Sequence, residues 1–192
     1  MRHLLAILLL TTSANAADWK PVEKVETYKI TGETGFELYE SIGQNGPETS
    51  IGRAIAYTNF DLKWSRDYVP SDGGCTLEKA RPHLIIIFKL PKPAKKLPAA
   101  TQALWDTFAA GIRRHEQVHA DIIVDMVNAI EAFSVGLRVE DDPKCQKIRK
   151  VLTGRLSELS QAQRARSRDF DRDELSEGGN VHKLVLALVN GG

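Results

Sequence analysis

Residues 111–126 read GIRRHEQVHADIIVDM and hold His115, Glu116 and His119 in the order H-E-x-x-H. On an α-helix, side chains four residues apart share a face, with Cβ atoms about 5–6 Å apart, close enough for two imidazoles to hold one ion. Glu116 projects about 100° around the axis from His115, beside the pair rather than between its members. There a carboxylate acts on a water as a base without taking a ligand position. The chemistry this spacing suits is zinc-assisted hydrolysis. The competing reading is an amphipathic helix whose two core histidines bond to backbone carbonyls.

The flanking residues argue for the helix. Leu104, Phe108, Ile112, His115, His119, Ile122, Met126, Ile130 and Phe133 recur at three- and four-residue steps, which is the helical period. Arg113, Arg114, Gln117, Asp121 and Asp125 fall mostly off that stripe. Both histidines therefore face the core, where polar groups need hydrogen bonds or a metal. Metal is the stronger of the two readings.

The ends and composition set the setting. Arg2, the apolar run Leu4–Leu10 and the small residues Ala14–Ala16 form an export signal, predicted to be cleaved after Ala16. The domain organisation expected is a signal peptide over 1–16 and one domain over 17–192, in a periplasmic or secreted protein. The apolar run is too short to span a bilayer, so no stable membrane insertion is expected. No cysteine follows the cleavage point, so a lipid anchor there is not expected either. Loss of Arg2 takes the formal charge from +1 to zero, with acidic and basic residues interspersed, which gives no reason to expect a nucleic-acid partner. The only cysteines, Cys75 and Cys145, are expected to form a disulfide in an oxidising compartment; as zinc ligands they would lack the close paired spacing of such sites.

The elements that must position these groups follow in order. Val22–Ile30 reads as a strand and Gly35–Gly43 has near-helical spacing. Ile51–Val69 alternates as one long or bent strand, or a hairpin turning near Asn59. "SDGGC" is a turn, and His83–Leu90 is a buried strand. The long helix begins near Ala99, with Thr101 a candidate cap, and fades near Gly136. A second helix runs from about Cys145 to Phe170, while Val181–Val189 fits helix or strand equally. The expected fold class is α+β: a small antiparallel sheet packed with two long helices, one of them a zincin-like active-site helix.

The order of "YKITGETGFELYESIGQNGP", Trp64, "GGC", "KLPKP", "LWDTF", "RRHEQVH" and Cys145 resembles one family, the predicted secreted zinc-dependent proteases of bacteria, a domain of unknown function. The resemblance covers nearly all of the chain after the signal. It implies a zinc site on His115 and His119. It also implies a third ligand after the second helix, where members often carry Tyr-Asp and then Thr-x-His-Gly. This chain has "FDRDELSEGGN" there: Phe170-Asp171 matches the pair, and no histidine follows at the expected place. Glu177, just before Gly178, is the expected substitute, giving two histidines and a glutamate around Zn2+. Asp171, Asp173, Glu174 and His182 are its competitors, and a solvated acidic loop is the plain alternative.

Two functions follow. One is a zinc metalloprotease-like hydrolase acting on a peptide or protein substrate, with Glu116 as general base and Arg113, Arg114, Tyr57 or His83 as candidates to polarise the carbonyl. The other is a non-catalytic periplasmic metal-binding or envelope interaction module. Glu116 favours the enzyme, because a structural zinc site has no use for an unbound carboxylate beside its ligands. The sequence leaves the oligomeric state open. For export, N-terminal sequencing of protein from the periplasm or medium is expected to begin at Ala17; intact Met1 recovered only from cytosol would contradict it.

Overall fold

The computed structural model describes residues 19–49 and 52–191, so the expected export signal over 1–16 lies outside the described residues. The elements run β1 (Val22–Ile30), α1 (Gly35–Asn45), β2 (Glu48–Thr49), β3 (Gly52–Arg53), β4 (Tyr57–Ser71), β5 (Gly74–Pro93), α2 (Ala99–Ser134), β6 (Arg138–Val139), α3 (Lys147–Leu175) and α4 (Asn180–Asn190). The class is α+β.

β5 is the axis of the sheet. Its alternation buries Pro82, Leu84, Ile86 and Phe88 on one face, while Arg81 and His83 on the other are exposed. β4 pairs with it antiparallel and β1 pairs parallel along its other edge, giving the order β1-β5-β4. The sheet is thus mixed rather than antiparallel throughout. A register shift at Asp67/Tyr68 leaves Glu78 as an extra residue in β5. The buried set there switches from even positions to Leu77 and Cys75, which carries the hairpin tip around the end of the helices.

The hairpin turns at Asp72-Gly73 and not near Asn59. Alternation counted from Ile51 runs across a break, because β3 ends at Arg53 and β4 begins only at Tyr57. Thr101 is not a cap. α2 starts on Pro98 without a side-chain cap, and the buried Thr101 hydroxyl instead donates to the Glu33 carbonyl, 2.7 Å away. That bond ties α2 to the start of α1, where Thr34 and Glu37 form a capping box.

α2, about 54 Å long at 1.5 Å per residue, runs through two of the three apolar clusters and borders the third. Trp105, Phe108 and Ile112 pack with α1, β1 and α4. Ala120, Ile123, Met126, Val127 and Ile130 lie against Leu84, Ile86 and Phe88 of β5. At the hairpin tip Leu77, Ile148 and Leu152 surround the disulfide. At Gly35 a side chain would meet the Leu188 backbone, so α1 and α4 approach as closely as glycine allows. At Gly111 a side chain would meet the Leu184 side chain, so α4 also packs on α2 beside the histidines.

Cys75 and Cys145 are joined, with Cα atoms 5.3 Å apart. Asp142 accepts from the backbone N–H groups of Gln146 and Ile148 at 2.7 and 2.8 Å, so the start of α3 is held both covalently and by a buried carboxylate. The bridge closes a separation of 70 residues, and in the chain-entropy account it restricts the unfolded state by about 4 kcal/mol. The double variant Cys75→Ala/Cys145→Ala is expected to lose stability of that order in urea unfolding; an unchanged midpoint would contradict the role given to the bridge.

Candidate metal centre

The middle of α2 carries polar side chains on its buried side. His115 and Glu116 are 9% and 4% exposed, and the His119 side chain is 12% exposed. The face is covered by the last turns of α3. Phe170 stacks on His115 with ring centroids 4.8 Å apart and meets His119 edge-on at 5.4 Å. The next residue, Asp171, brings one oxygen to both imidazoles.

Three atoms then close a triangle. His115 Nε2 and His119 Nε2 are 3.2 Å apart, and Asp171 Oδ1 lies 2.9 Å from His119 Nε2 and 3.2 Å from His115 Nε2. Hydrogen bonds cannot serve all three sides. An ionised carboxylate brings no proton, and each Nε2 brings at most one. If both nitrogens donate to Asp171, two hydrogens crowd the third side. One cation in contact with all three atoms removes the conflict. Ligands at about 2.0–2.1 Å from a tetrahedral zinc ion lie about 3.3 Å apart; two observed sides, at 3.2 Å, are near that spacing and the third, at 2.9 Å, is shorter. Among the described residues these three side chains form the one such group of metal-ligating atoms.

Glu116 stands beside the triangle. Thr58, on the inward face of β4, donates its hydroxyl to Glu116 Oε2 at 2.6 Å, so the sheet fixes the carboxylate from the side away from α3. Burial raises the Glu116 pKa above the ordinary glutamate value. The Thr58 bond and the two histidines oppose that rise, and Asp171 adds to it. Burial pushes Asp171 upward as well, but the hydrogen bonds and charges of both histidines hold it well below the usual carboxylate range. For His119, burial lowers the pKa, and the bond and charge of Asp171 more than reverse this, leaving it raised.

The structure does not bring Glu177 to the histidines. α3 continues five residues past Phe170, to Leu175. Asp171 and Glu174 therefore lie on the helical face turned toward α2, one turn apart. Glu177 falls beyond the helix end, in the exposed turn before α4. The carboxylate that meets both histidines is Asp171. Asp173 is exposed and paired with Arg172, and His182 Nδ1 accepts from the Gly178 N–H at 3.1 Å. Glu174 is closer: its Oε2 lies 3.8 Å from His115 Nδ1.

The candidates for polarising a carbonyl separate too. Arg113 is committed elsewhere, its guanidinium 3.6 Å from the Phe88 ring centroid and 3.1 Å from Glu23. Tyr57 alternates to the sheet face opposite Thr58, and His83 sits on that outer face against Ser65. Arg114 remains, exposed on the wall of a cleft of about 630 Å³ that also borders His115, Phe170, Glu174 and Lys183. Sequence reading passed over Thr58 and Asn180; alternation along β4 does place Thr58 inward, but nothing local says which helix it meets.

If the triangle is the metal site, Asp171→Asn should lower bound zinc far below one equivalent, as His119→Ala should, and Glu177→Gln should leave it unchanged. Metal content by mass spectrometry after gel filtration reads this directly. Full zinc in Asp171→Asn with loss in Glu177→Gln would reverse the assignment.

Comparison with curated proteins and with solved structures gives no match. The profile of a family described as a bacterial protein of unknown function (DUF922) matches residues 25–179, which takes in the sheet, α2, Asp171 and Glu174. The match covers most of the sequence, and the chain belongs to this bacterial family of unknown function.

Proposed function

We propose that this protein is an exported zinc-dependent hydrolase that cleaves peptide bonds, working in the periplasm or outside the cell. The observation that carries the reading is Glu116: a buried carboxylate held by Thr58 beside the triangle of His115, His119 and Asp171, and not part of it. A site that only stored a metal would gain nothing from desolvating a further carboxylate next to the ligands, since that burial is costly.

His115, His119 and Asp171 would hold the ion through Nε2, Nε2 and Oδ1. Zinc in such a set supplies Lewis acidity to a carbonyl oxygen and makes water a stronger acid. Glu116 takes a proton from the water that attacks the carbonyl carbon. It then delivers that proton to the amine nitrogen as the C–N bond breaks. Burial raises its pKa above the ordinary glutamate value, which makes the carboxylate a better proton acceptor in the first half of this transfer. The cleft beside His115 gives a substrate room to approach, with Arg114 on its wall. The resemblance to predicted secreted zinc-dependent proteases points the same way, as does the export signal of the sequence.

The test separates metal binding from chemistry. Glu116→Gln is expected to keep zinc and to lose about 10²–10⁴-fold in hydrolysis of casein or a peptide library. Chelation should remove activity from the wild type, and added zinc should restore it. Undiminished hydrolysis by Glu116→Gln would rule out this base. A wild-type chain that binds zinc and cleaves nothing would favour the metal-binding module.

A further inference from the structure

His115 offers its Nε2 to the triangle, and an imidazole that ligates through one nitrogen carries its proton on the other. That other nitrogen, Nδ1, is buried and has no hydrogen-bond partner. A buried N–H without an acceptor is costly, so its surroundings should contain one. One carboxylate lies within 4 Å of it among the described residues: Glu174, with Oε2 at 3.8 Å.

Four features make this approach more than chance proximity. Glu174 is three residues beyond Asp171 on α3, so the element that presents the ligand oxygen also presents the second carboxylate. Its side chain is 17% exposed. Its other oxygen, Oε1, accepts from Asn180 Nδ2 at 2.6 Å, so the first residue of α4 holds the carboxylate in place. Phe170 stacks on His115 with only 21° between the rings, which fixes the plane in which Nδ1 points. A shift of less than about 1 Å in the Glu174 carboxylate brings Oε2 to hydrogen-bond distance.

We propose that Glu174 is the positioning carboxylate of His115. It accepts the Nδ1 proton and thereby fixes the tautomer and ring orientation that aim Nε2 at the ion, while Asn180 fixes Glu174. The proposal rests on the reading of His115 as a metal ligand. Glu174 is not itself a ligand, because it meets the far side of the imidazole from the triangle. The arrangement also makes the C-terminal helix part of the site, since α4 reaches the metal-binding group through Asn180, Glu174 and His115 in turn.

The test is zinc affinity, measured by competition with a colorimetric chelator, together with the NMR signature of the His115 ring. Glu174→Ala is expected to weaken zinc binding about 10- to 100-fold. Glu174→Gln, which keeps an acceptor oxygen, should recover part of that loss. Asn180→Ala, which leaves the carboxylate present but unheld, should weaken binding less than Glu174→Ala. In the zinc-loaded wild type the His115 Nδ1 proton should be hydrogen-bonded and slow to exchange. In Glu174→Ala at saturating zinc it should be lost to rapid exchange, an effect that a general loss of stability would not produce. A Glu174→Ala affinity within twofold of wild type, with the proton signal unchanged, overturns the proposal and leaves the metal site standing. A wild type that binds no zinc overturns both.

Discussion

Two imidazole nitrogens and one carboxylate oxygen lie within 3.2 Å of one another, in a contact that protons alone cannot satisfy. The placement of α3 depends on it. That helix is fixed at its start by the disulfide and Asp142, and along its first half by Ile148, Leu152, Leu156 and Leu159. From Ser160 to Asp169 it offers no large apolar residue to the core. Phe170, Asp171 and Glu174 then bring it back onto α2. The far half of α3 is therefore held by polar contacts with α2, Arg166 with Asp125 at 3.0 Å and then the residues of the site, rather than by apolar packing. A cation there would supply cohesion that packing in this stretch does not.

α2 makes this possible because its faces have different tasks. The apolar side runs along β5, and Arg113 closes the edge toward β1 by lying over Phe88 and pairing with Glu23. The His115–His119 side is turned to α3. Glu116, between these directions, is met by Thr58 from the sheet. Glu116 is thus fixed from β4, while the carboxylate that meets the two histidines comes from α3. Asn180, at the start of α4, reaches back to Glu174 from beside Gly179, where a side chain would meet the Asp173 and Glu174 carbonyls.

Much of this was legible in the sequence, for identifiable reasons. β1 was read from its β-branched and aromatic residues and α2 from its strong helical period, and the buried stripe of α2 includes His115. The cysteine pair followed from there being only two. The carboxylate that meets the histidines, Asp171 and not Glu177, was not legible. α3 has a weak apolar face beyond Leu159, so periodicity ends it at Phe170, whereas Arg172 pairing with Asp169 and Asp173 and the contacts at Asp171 carry it to Leu175. Those five residues decide which carboxylate faces the histidines. The parallel pairing of β1 and the tie from Thr101 to Glu33 are likewise products of tertiary packing, since neither leaves a mark in local spacing.

The central claim, that one ion joins α2 to α3, is tested most directly by a crystal structure of the zinc-soaked protein with anomalous data collected on both sides of the zinc absorption edge. The account predicts one strong anomalous peak bonded to His115 Nε2, His119 Nε2 and Asp171 Oδ1, with Glu116 beside it and unbonded. A peak bound by Glu177 or His182, or no peak between the histidines at saturating zinc, would contradict it.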